Sequence, residues 1–518
     1  MPRPKKTKAN QTLTTAQSLG GLLKSARDIM RKDKGLNGDL DRLPLLTWIM
    51  FLKFLDDLEQ QREVESTLAG ESFRQAIEPP YRWRDWATNP QGITGDELLA
   101  FINHEKTVRP DGSEGAGLFT YLRGLASSNG DYRRDVIATV FKNVDNRMKS
   151  GYLLRDVIDK VNSIHFTSSD ELHTLGALYE SMLREMRDAA GDSGEFYTPR
   201  PVIRFMVAVT NPRLGEMVLD PAAGTGGFLV EVFKHLKEQV KTVDGHKVLQ
   251  QRSLQGCEAK PLPYLLCQMN LLLHGLDAPQ IDPGNALRHK LTEIGDKERV
   301  DVILTNPPFG GEEEKGIQAN FPDDRQASET ALLFLQLIMR KLRRQPRTGF
   351  PPARAAVVVP NGTLFGDGVC ARIKEELLKD FNLHTIVRLP NGVFAPYTGI
   401  PTNLLFFDRS GPTKEVWYYE QPLPEGRKNY TKTMPLQFEE FAACQAWWNQ
   451  REENEWAWKV PAEELLANNC NLDRKNPRAK EDITHLPPEQ LVESIMQKEQ
   501  RILEIMGNIR KLLGESGA

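Results

Sequence analysis

The sequence predicts an α/β protein: a doubly wound, mostly parallel sheet, with an all-α domain before it and a helical tail after it. Three observations carry this prediction. Short apolar runs at 217–220, 253–258, 300–305, 355–360 and 383–389 read as strands buried on both faces. Helical patterns at 227–241, 260–274, 328–344 and 368–380 separate them, which is the alternation of βαβ units. Between about 16 and 165, apolar residues recur at three- and four-residue spacing with few strand signals.

In chain order, residues 1–15 form a basic tail (Arg3, Lys5, Lys6, Lys8) that reads as a disordered, solvated arm rather than a nucleic-acid contact. The helical domain over 16–165 opens with the stripe Leu19, Leu22, Leu23, Ala26, Ile29 and Met30. Its most apolar stretch, Leu43 to Leu58, is interrupted by Lys53, Asp56 and Asp57; it is too short and too charged to span a bilayer and reads as a buried helix. A charged, Trp-rich segment (81–86) and a Gly/Ser-containing loop (110–117) break the pattern. Helix signals continue through 171–188, with Leu172, Leu175, Leu178, Tyr179 and Met182 on one face. The α/β domain is expected over 166–415. Its last two runs, 383–389 and 402–408, are joined by a Pro/Gly-rich link without a helix, which predicts a hairpin closing the sheet edge. Residues 416–518 return to helix and irregular structure. They end in the stripe Leu491, Ile495, Ile502, Ile505, Met506, Ile509 and Leu512, which suits a helix packed on its own domain or one that docks a partner.

A length of 518 residues allows two or three domains, and the formal net charge of −3 gives no global signature of nucleic-acid binding. The five cysteines (Cys257, Cys267, Cys370, Cys444, Cys470) have no C-x-x-C spacing. That pattern argues against a zinc site or a disulfide framework and fits a reducing compartment. With no N-terminal apolar h-region in view, a cytoplasmic, bacterial protein is expected.

Chemistry concentrates at Asn306-Pro307-Pro308-Phe309, directly after the 300–305 run. Ligands of open α/β sheets bind at the carboxyl ends of strands. Two consecutive prolines fix φ and supply no backbone N–H, so only carbonyls remain. With the Asn306 side-chain oxygen they make a rigid set of acceptors beside an aromatic face. Such a set suits the exocyclic amine of a flat ring.

Asp220-Pro221-Ala222-Ala223-Gly224-Thr225-Gly226-Gly227-Phe228 follows the first strand and opens a helix. Small residues there admit a ligand close to the backbone. Glu258 ends the second strand, where a carboxylate can accept both ribose hydroxyls. It lies 31 residues past Gly227, against roughly 20 in dinucleotide enzymes. The first G-x-G of their fingerprint is also missing, since Ala222-Ala223 stand there. A nucleoside cofactor without phosphates is favoured, and S-adenosylmethionine fits that description.

Together, Asp220–Phe228 and Asn306–Phe309, 86 residues apart, resemble the amino-methyltransferases that act on DNA adenine. Gly194-Glu195-Phe196-Tyr197-Thr198-Pro199-Arg200-Pro201 narrows this further, because it resembles a segment of the modification subunit of type I restriction–modification systems. The order of the three motifs, the total length and the helical N-terminal domain match that family, as do 355–362 and 389–394. The resemblance runs from about residue 16 to 410, and the last hundred residues match in character only.

The resemblance implies methyl transfer from S-adenosylmethionine to N6 of a flipped adenine, without a metal. It places Glu195, Phe196, Tyr197, Thr198, Pro199 and Arg200 along the methionine end of the cofactor. Thr225, Gly226 and Gly227 would present backbone to it, Asp220 would lie near its amino group, Glu258 would bind its ribose, and Asn285 would contact its adenine. Asn306, Pro307, Pro308 and Phe309 would hold the target amine. The implied partners are double-stranded DNA, a separate specificity subunit, a second copy of this chain and a restriction subunit. No reader module is evident in the sequence, which accords with specificity supplied by another chain. Gly310 to Arg325 reads as a mobile surface loop rather than one that orders over DNA. The cluster Arg340, Lys341, Arg343, Arg344 and Arg347 reads as a solvated face rather than a phosphate contact. A stand-alone adenine methyltransferase, a methyltransferase for RNA or a protein amide, and an assembly scaffold with a degenerate site remain open alternatives.

Overall fold

The computed structural model describes residues 15–164 (except 71, 90 and 126–131), 176, 179, 198–478 (except 396, 397 and 432), 496 and 498–506. The basic tail and nearly all of the 171–188 stretch lie outside the described residues. The chain divides into two compact units, Met1–Arg474 and Lys475–Ala518.

The first unit opens with the helices Thr15–Met30 and Asp39–Ala69. The predicted stripe packs inward through Leu19, Leu23, Ala26 and Met30. The charges that interrupt the next apolar run are buried as well, and each has a partner. Lys53 Nζ lies 2.5 Å from Asp57, and Arg84 Nε donates to Asp56 at 2.8 Å. A buried charge persists when it is paired in this way. Gly70, at φ +72°, ends the 31-residue helix in the left-handed conformation that favours glycine. The Trp-rich segment forms the short helix Trp83–Trp86, with both indoles buried. The 110–117 loop lies in a hairpin of β1 (Lys106–Val108) and β2 (Glu114–Ala116).

The main sheet holds β3 (Val218–Asp220), β4 (Leu254–Cys257), β5 (Ile281–Asp282), β6 (Val302–Thr305), β7 (Arg354–Pro360), β8 (Asn382–Arg388), β9 (Thr402–Asp408), β10 (Glu415–Glu420) and β11 (Ala457–Pro461). Its strand order is β11-β10-β8-β9-β7-β6-β3-β4-β5. From β7 to β5 every neighbouring pair is parallel. From β3 the chain winds outward to β4 and β5, then returns to start β6 on the other flank of β3. Strand order therefore reverses between β3 and β6, the place where open α/β sheets bind ligands.

Side chains alternate between two cores, as the two-residue period of a strand requires. Val302 and Leu304 face one core, with the helices Arg200–Thr210, Gly227–Lys237 and Pro261–Leu273. Ile303, Ala355, Val357 and Val359 face the other, with Thr330–Lys341 and Val369–Asp380.

β8 and β9 form the expected antiparallel pair, but they do not close the sheet. β9 sits between β7 and β8, while β10 and β11 continue the sheet beyond β8. Val416, Tyr418, Trp458 and Val460 from those last strands join the second core, and that burial holds them in the sheet.

Two further expectations are corrected. Gly310–Arg325 is not a loose loop. Phe321 is buried with Leu287, Phe334 and Leu337, and a bridge joins Glu312 to Glu329. The basic cluster is not simply a solvated face either. Arg343 Nε and Arg347 Nη2 donate to buried Asp301 at 2.8 and 2.7 Å, and Arg340 Nε donates to the Leu291 carbonyl. Among the described residues no helix is long and apolar enough to cross a membrane. In the second unit, the described part of the terminal stripe is helical, and Met496, Ile502, Leu503, Ile505 and Met506 are exposed.

Candidate active site

β3 and β6 pair in parallel, Val218 with Val302 and Leu219 with Ile303. This register brings the two motif-bearing loops to the same sheet end. Thr305 Oγ1 donates to Asp220 Oδ1 at 2.7 Å, which ties the end of one strand to the other. The Ala222 N–H donates to the same oxygen at 3.1 Å, while Asp220 Oδ2 is buried with no hydrogen-bond partner. Burial pushes the Asp220 carboxyl up to about 7, against the two hydrogen bonds, and the nearby Glu258 charge adds to the rise.

The Gly-rich turn is held from the side by β4. The Ala223 N–H donates to the Cys257 carbonyl at 2.9 Å, and the Gly224 N–H donates to Glu258 Oε2 at 2.9 Å. The other Glu258 oxygen accepts the Lys260 N–H at 2.8 Å. Gly226, at φ +79°, turns the chain into the helix Gly227–Lys237, and its N–H is taken by the Ala223 carbonyl. A Cβ there would lie 2.9 Å from Cys267 Sγ, so a side chain is excluded on both counts. A Cβ at Gly227 would collide with the Arg200 guanidinium, which covers the turn from the neighbouring helix.

A cavity of about 190 Å³ opens over these groups. Of the expected site residues, Thr198, Arg200, Asp220, Thr225, Gly227, Glu258, Asn285, Asn306 and Pro308 line it. Pro199, Gly226, Pro307 and Phe309 do not: Pro199 caps the helix Arg200–Thr210, and Gly226 shapes the turn. Glu195, Phe196 and Tyr197 lie outside the described residues. Asn285 Oδ1 accepts the Leu287 N–H at 2.9 Å, and its amide is 3.4 Å from Glu313 Oε2.

The Asn306 side chain is held by another residue of the cavity lining. Its Nδ2 donates to Thr198 Oγ1 at 3.0 Å, while its Oδ1 is buried and unpartnered. A buried acceptor without a donor costs about 1–3 kcal/mol, and beside a cavity a ligand's donor can complete its bonding. Phe309 is half-buried and meets Phe394 edge-on, with ring centroids 6.1 Å apart.

Among the residues that join the site unannounced, three bear on its chemistry. Glu313 and Phe334 line the cavity, and Phe394 backs Phe309. Glu313 reads as a solvated charge until the 310–325 chain is seen to fold back. Phe334 reads as one more core residue of a helix. Only Phe394 carried a signal, since it ends the 389–394 segment that contributes to the resemblance.

Residues 170–485 match the N-6 DNA methylase family and residues 19–161 match the HsdM N-terminal domain. The Escherichia coli type I restriction enzyme EcoEI methylase subunit is 48% identical over 507 residues, covering 96% of this chain and 98% of that protein. The StySJI methylase subunit of Salmonella typhimurium is 29% identical, covering 74% of each chain. A crystal structure of a type I restriction enzyme modification subunit from Vibrio vulnificus YJ016 is 68% identical with a TM-score of 0.83, covering 92% of this chain and 100% of that one. A structure from work on type I R-M complex assembly and conformational transition is 40% identical with a TM-score of 0.78, covering 98% and 100%. With both domains matched in order and almost the whole length covered, the chain belongs to the N-6 DNA methylase family, as a methylase subunit of the type I restriction enzymes.

Proposed function

We propose that this subunit transfers a methyl group from S-adenosylmethionine to N6 of an adenine flipped out of duplex DNA, with Asn306-Pro307-Pro308-Phe309 holding the base. The buried, unpartnered Asn306 Oδ1 carries this reading, because Asn306 lines the same cavity as Asp220 and Glu258.

The cavity's donors and acceptors fit an adenosine without phosphates. Glu258 accepts the Gly224 N–H, so a carboxylate occupies the place where a phosphate would seek the amides of the turn. Asp220 Oδ2 is a buried acceptor suited to a cationic amino group, and Glu258 is suited to ribose hydroxyls. Thr198 and Arg200 also line the cavity and would meet the methionine end, with Glu195, Phe196, Tyr197 and Pro199 as their sequence neighbours. Thr225 and Gly227 line it too, next to Gly226, and Asn285 would meet the adenine. When bound, S-adenosylmethionine supplies an electrophilic methyl on a sulfonium.

The residues of this chain supply position and acceptors. The adenine amine is a poor nucleophile because its lone pair is delocalised into the ring. Asn306 Oδ1 and the Pro307 carbonyl accept hydrogen bonds from its two N–H groups, which favours a pyramidal nitrogen with its lone pair free. The same acceptors stabilise positive charge as it develops on that nitrogen. Pro307 and Pro308 fix the loop, so little reorganisation is needed at the moment of reaction. Phe309, backed by Phe394, stacks on the flipped base and offsets part of the few kcal/mol that unstacking costs.

The partners proposed are duplex DNA, a specificity subunit, a second copy of this chain and a restriction subunit. Two features support a separate specificity subunit: no reader module is recognisable in the sequence, and the terminal helix exposes apolar residues. The test is Asn306→Ala in the native assembly, reading methylation by tritiated-methyl incorporation and cofactor affinity by calorimetry. Lost methylation with retained cofactor binding is the expected result; retained methylation overturns the assignment.

A further inference from the structure

We propose that a cavity at the amino ends of β6, β7 and β8 is a second ligand site, which takes a small phosphate-bearing anion. It does not depend on the methyl-transfer reading.

The residues that line this cavity of about 340 Å³ fix its place. Arg299 precedes β6 and Phe381 precedes β8, while Arg409 follows β9 where Asp408 pairs with Arg354 at the start of β7. Asn306 follows the other end of β6, so the two cavities lie at opposite ends of the sheet.

Five guanidiniums line the cavity, from Arg299, Arg325, Arg340, Arg344 and Arg409, against the two carboxylates of Glu376 and Asp380. Some of that charge is answered. Glu376 pairs with Arg325. Arg299 Nη1 donates to the Arg340 and Leu342 carbonyls at 2.5 and 2.9 Å, and Arg409 Nη2 donates to the Met339 carbonyl at 2.7 Å. Those carbonyls end the helix Thr330–Lys341, whose negative end offsets part of the charge.

Several donors are left over. Arg299 is 2% exposed, and its Nε lies 3.2 Å from the mostly exposed Asp296. Its Nη2 has no acceptor among the described residues. Arg340 uses Nε alone, on the Leu291 carbonyl at 2.9 Å. The Arg344 side chain makes no hydrogen bond or ion pair among the described residues. Burial, and then the charges of Arg340, Arg344 and Arg409, pull the Arg299 guanidinium down to about 10. The cluster repels itself, and an anion relieves it. Guanidinium forks match the oxygens of a phosphate, and several forks around one small cavity call for an anion with several oxygens and more than one charge. Duplex DNA engaged at Asn306 lies at the other end of the sheet.

The experiment titrates the full-length subunit with pyrophosphate by calorimetry, at low ionic strength because salt screens such contacts. Saturable binding of one pyrophosphate per chain is expected. Arg344→Gln should weaken it by at least about tenfold, the scale of one charge-assisted contact, without lowering the melting temperature of the unliganded protein. Arg343→Gln is the control. It removes the same charge one residue away, from a side chain engaged by Asp301, and should leave the pyrophosphate Kd within about threefold because the site does not use it. No saturable binding by wild type overturns the proposal. Equal weakening by both variants also overturns it, since that marks diffuse attraction to net charge. A melting temperature that falls in Arg344→Gln assigns that residue to the scaffold and overturns its role here. Two further arms test the source of the anion. Pyrophosphate displaced by duplex DNA, or excluded once the subunit joins its native assembly, would put a DNA backbone or a partner's acidic segment in the cavity and overturn the small-ligand assignment.

Discussion

The two ends of β6 carry the same kinds of group and treat them in opposite ways. At the entry to the strand, Asp301 accepts Arg343 Nε, Arg347 Nη2 and the Met217 N–H at 2.8, 2.7 and 2.9 Å. Next to it, Glu216 is fully buried and grips Arg354 with two bonds at 2.8 and 2.9 Å. At the exit, Asp220 and Asn306 each keep one buried oxygen with no partner. The oxygens of Asp301 and Glu216 are filled and those of Asp220 and Asn306 are not, so the contrast separates an end built for stability from an end built for a ligand. Arginine forks suit the first task because they fill carboxylate lone pairs two at a time. The second task needs lone pairs left vacant.

Five substitutions would break or sharpen this contrast. The largest effect falls at the exit: Asn306→Ala should lower methyl transfer by about 10²–10³-fold or more while shifting the melting temperature hardly at all. A melting temperature that falls with the activity would mean the residue belongs to the scaffold. Asp301→Ala should do the reverse. Removing a buried acceptor from the Met217 N–H and from two part-exposed arginines costs about 1–3 kcal/mol, read as a lower denaturation midpoint, with kcat of the folded enzyme unchanged.

Asp220→Asn tests the raised carboxyl through pH. Folded Asp220 holds its proton up to about 7, against the ordinary value of 3.8 when unfolded. The folded state therefore binds the extra proton between these values. The stability this contributes is complete below about 4 and is lost as pH rises through 7. Relative to wild type, the Asn variant should gain stability across that window, by at most about 4 kcal/mol, and then level off. A difference that does not change with pH would show an ionised Asp220 throughout. The smallest effect is at the aromatic wall. Phe309→Ala should weaken capture of the flipped base by about 1–3 kcal/mol, followed by 2-aminopurine fluorescence at the target position. Phe394→Ala should give a weaker version of the same change, and no change in either variant would exclude stacking there.

Much of the fold was legible because the α/β core repeats one rule. Buried parallel strands are apolar throughout, and helices of 11 to 13 residues such as Gly227–Lys237 and Pro261–Leu273 separate them. The edge was not legible. β10 and β11 carry Glu415, Glu420 and Lys459 among their aromatics, so neither reads as the uniformly apolar run of a buried strand. Their pairing follows from burial of Tyr418 and Trp458 in a core that only the assembled sheet creates. At the site, Asn306, Asp220 and Glu258 stand out because loops at strand ends have few reasons to combine prolines, glycines and acids. Glu313 and Phe334 do not stand out, since their place depends on how the 310–325 chain packs on Leu287 and Leu337. The Thr198–Asn306 bond joins residues that no local pattern relates.

The apolar core on the first face of the sheet does not stop where the α/β part begins. Leu46, Trp48 and Phe51 of the N-terminal helices belong to the same cluster as Phe228, Leu266 and Leu304. Across the seam Arg62 pairs with Asp277 at 3.0 Å. Two segments that match separate family descriptions therefore share one interior. They should melt as a single cooperative step, and severing them would leave two pieces that each expose a sticky apolar face.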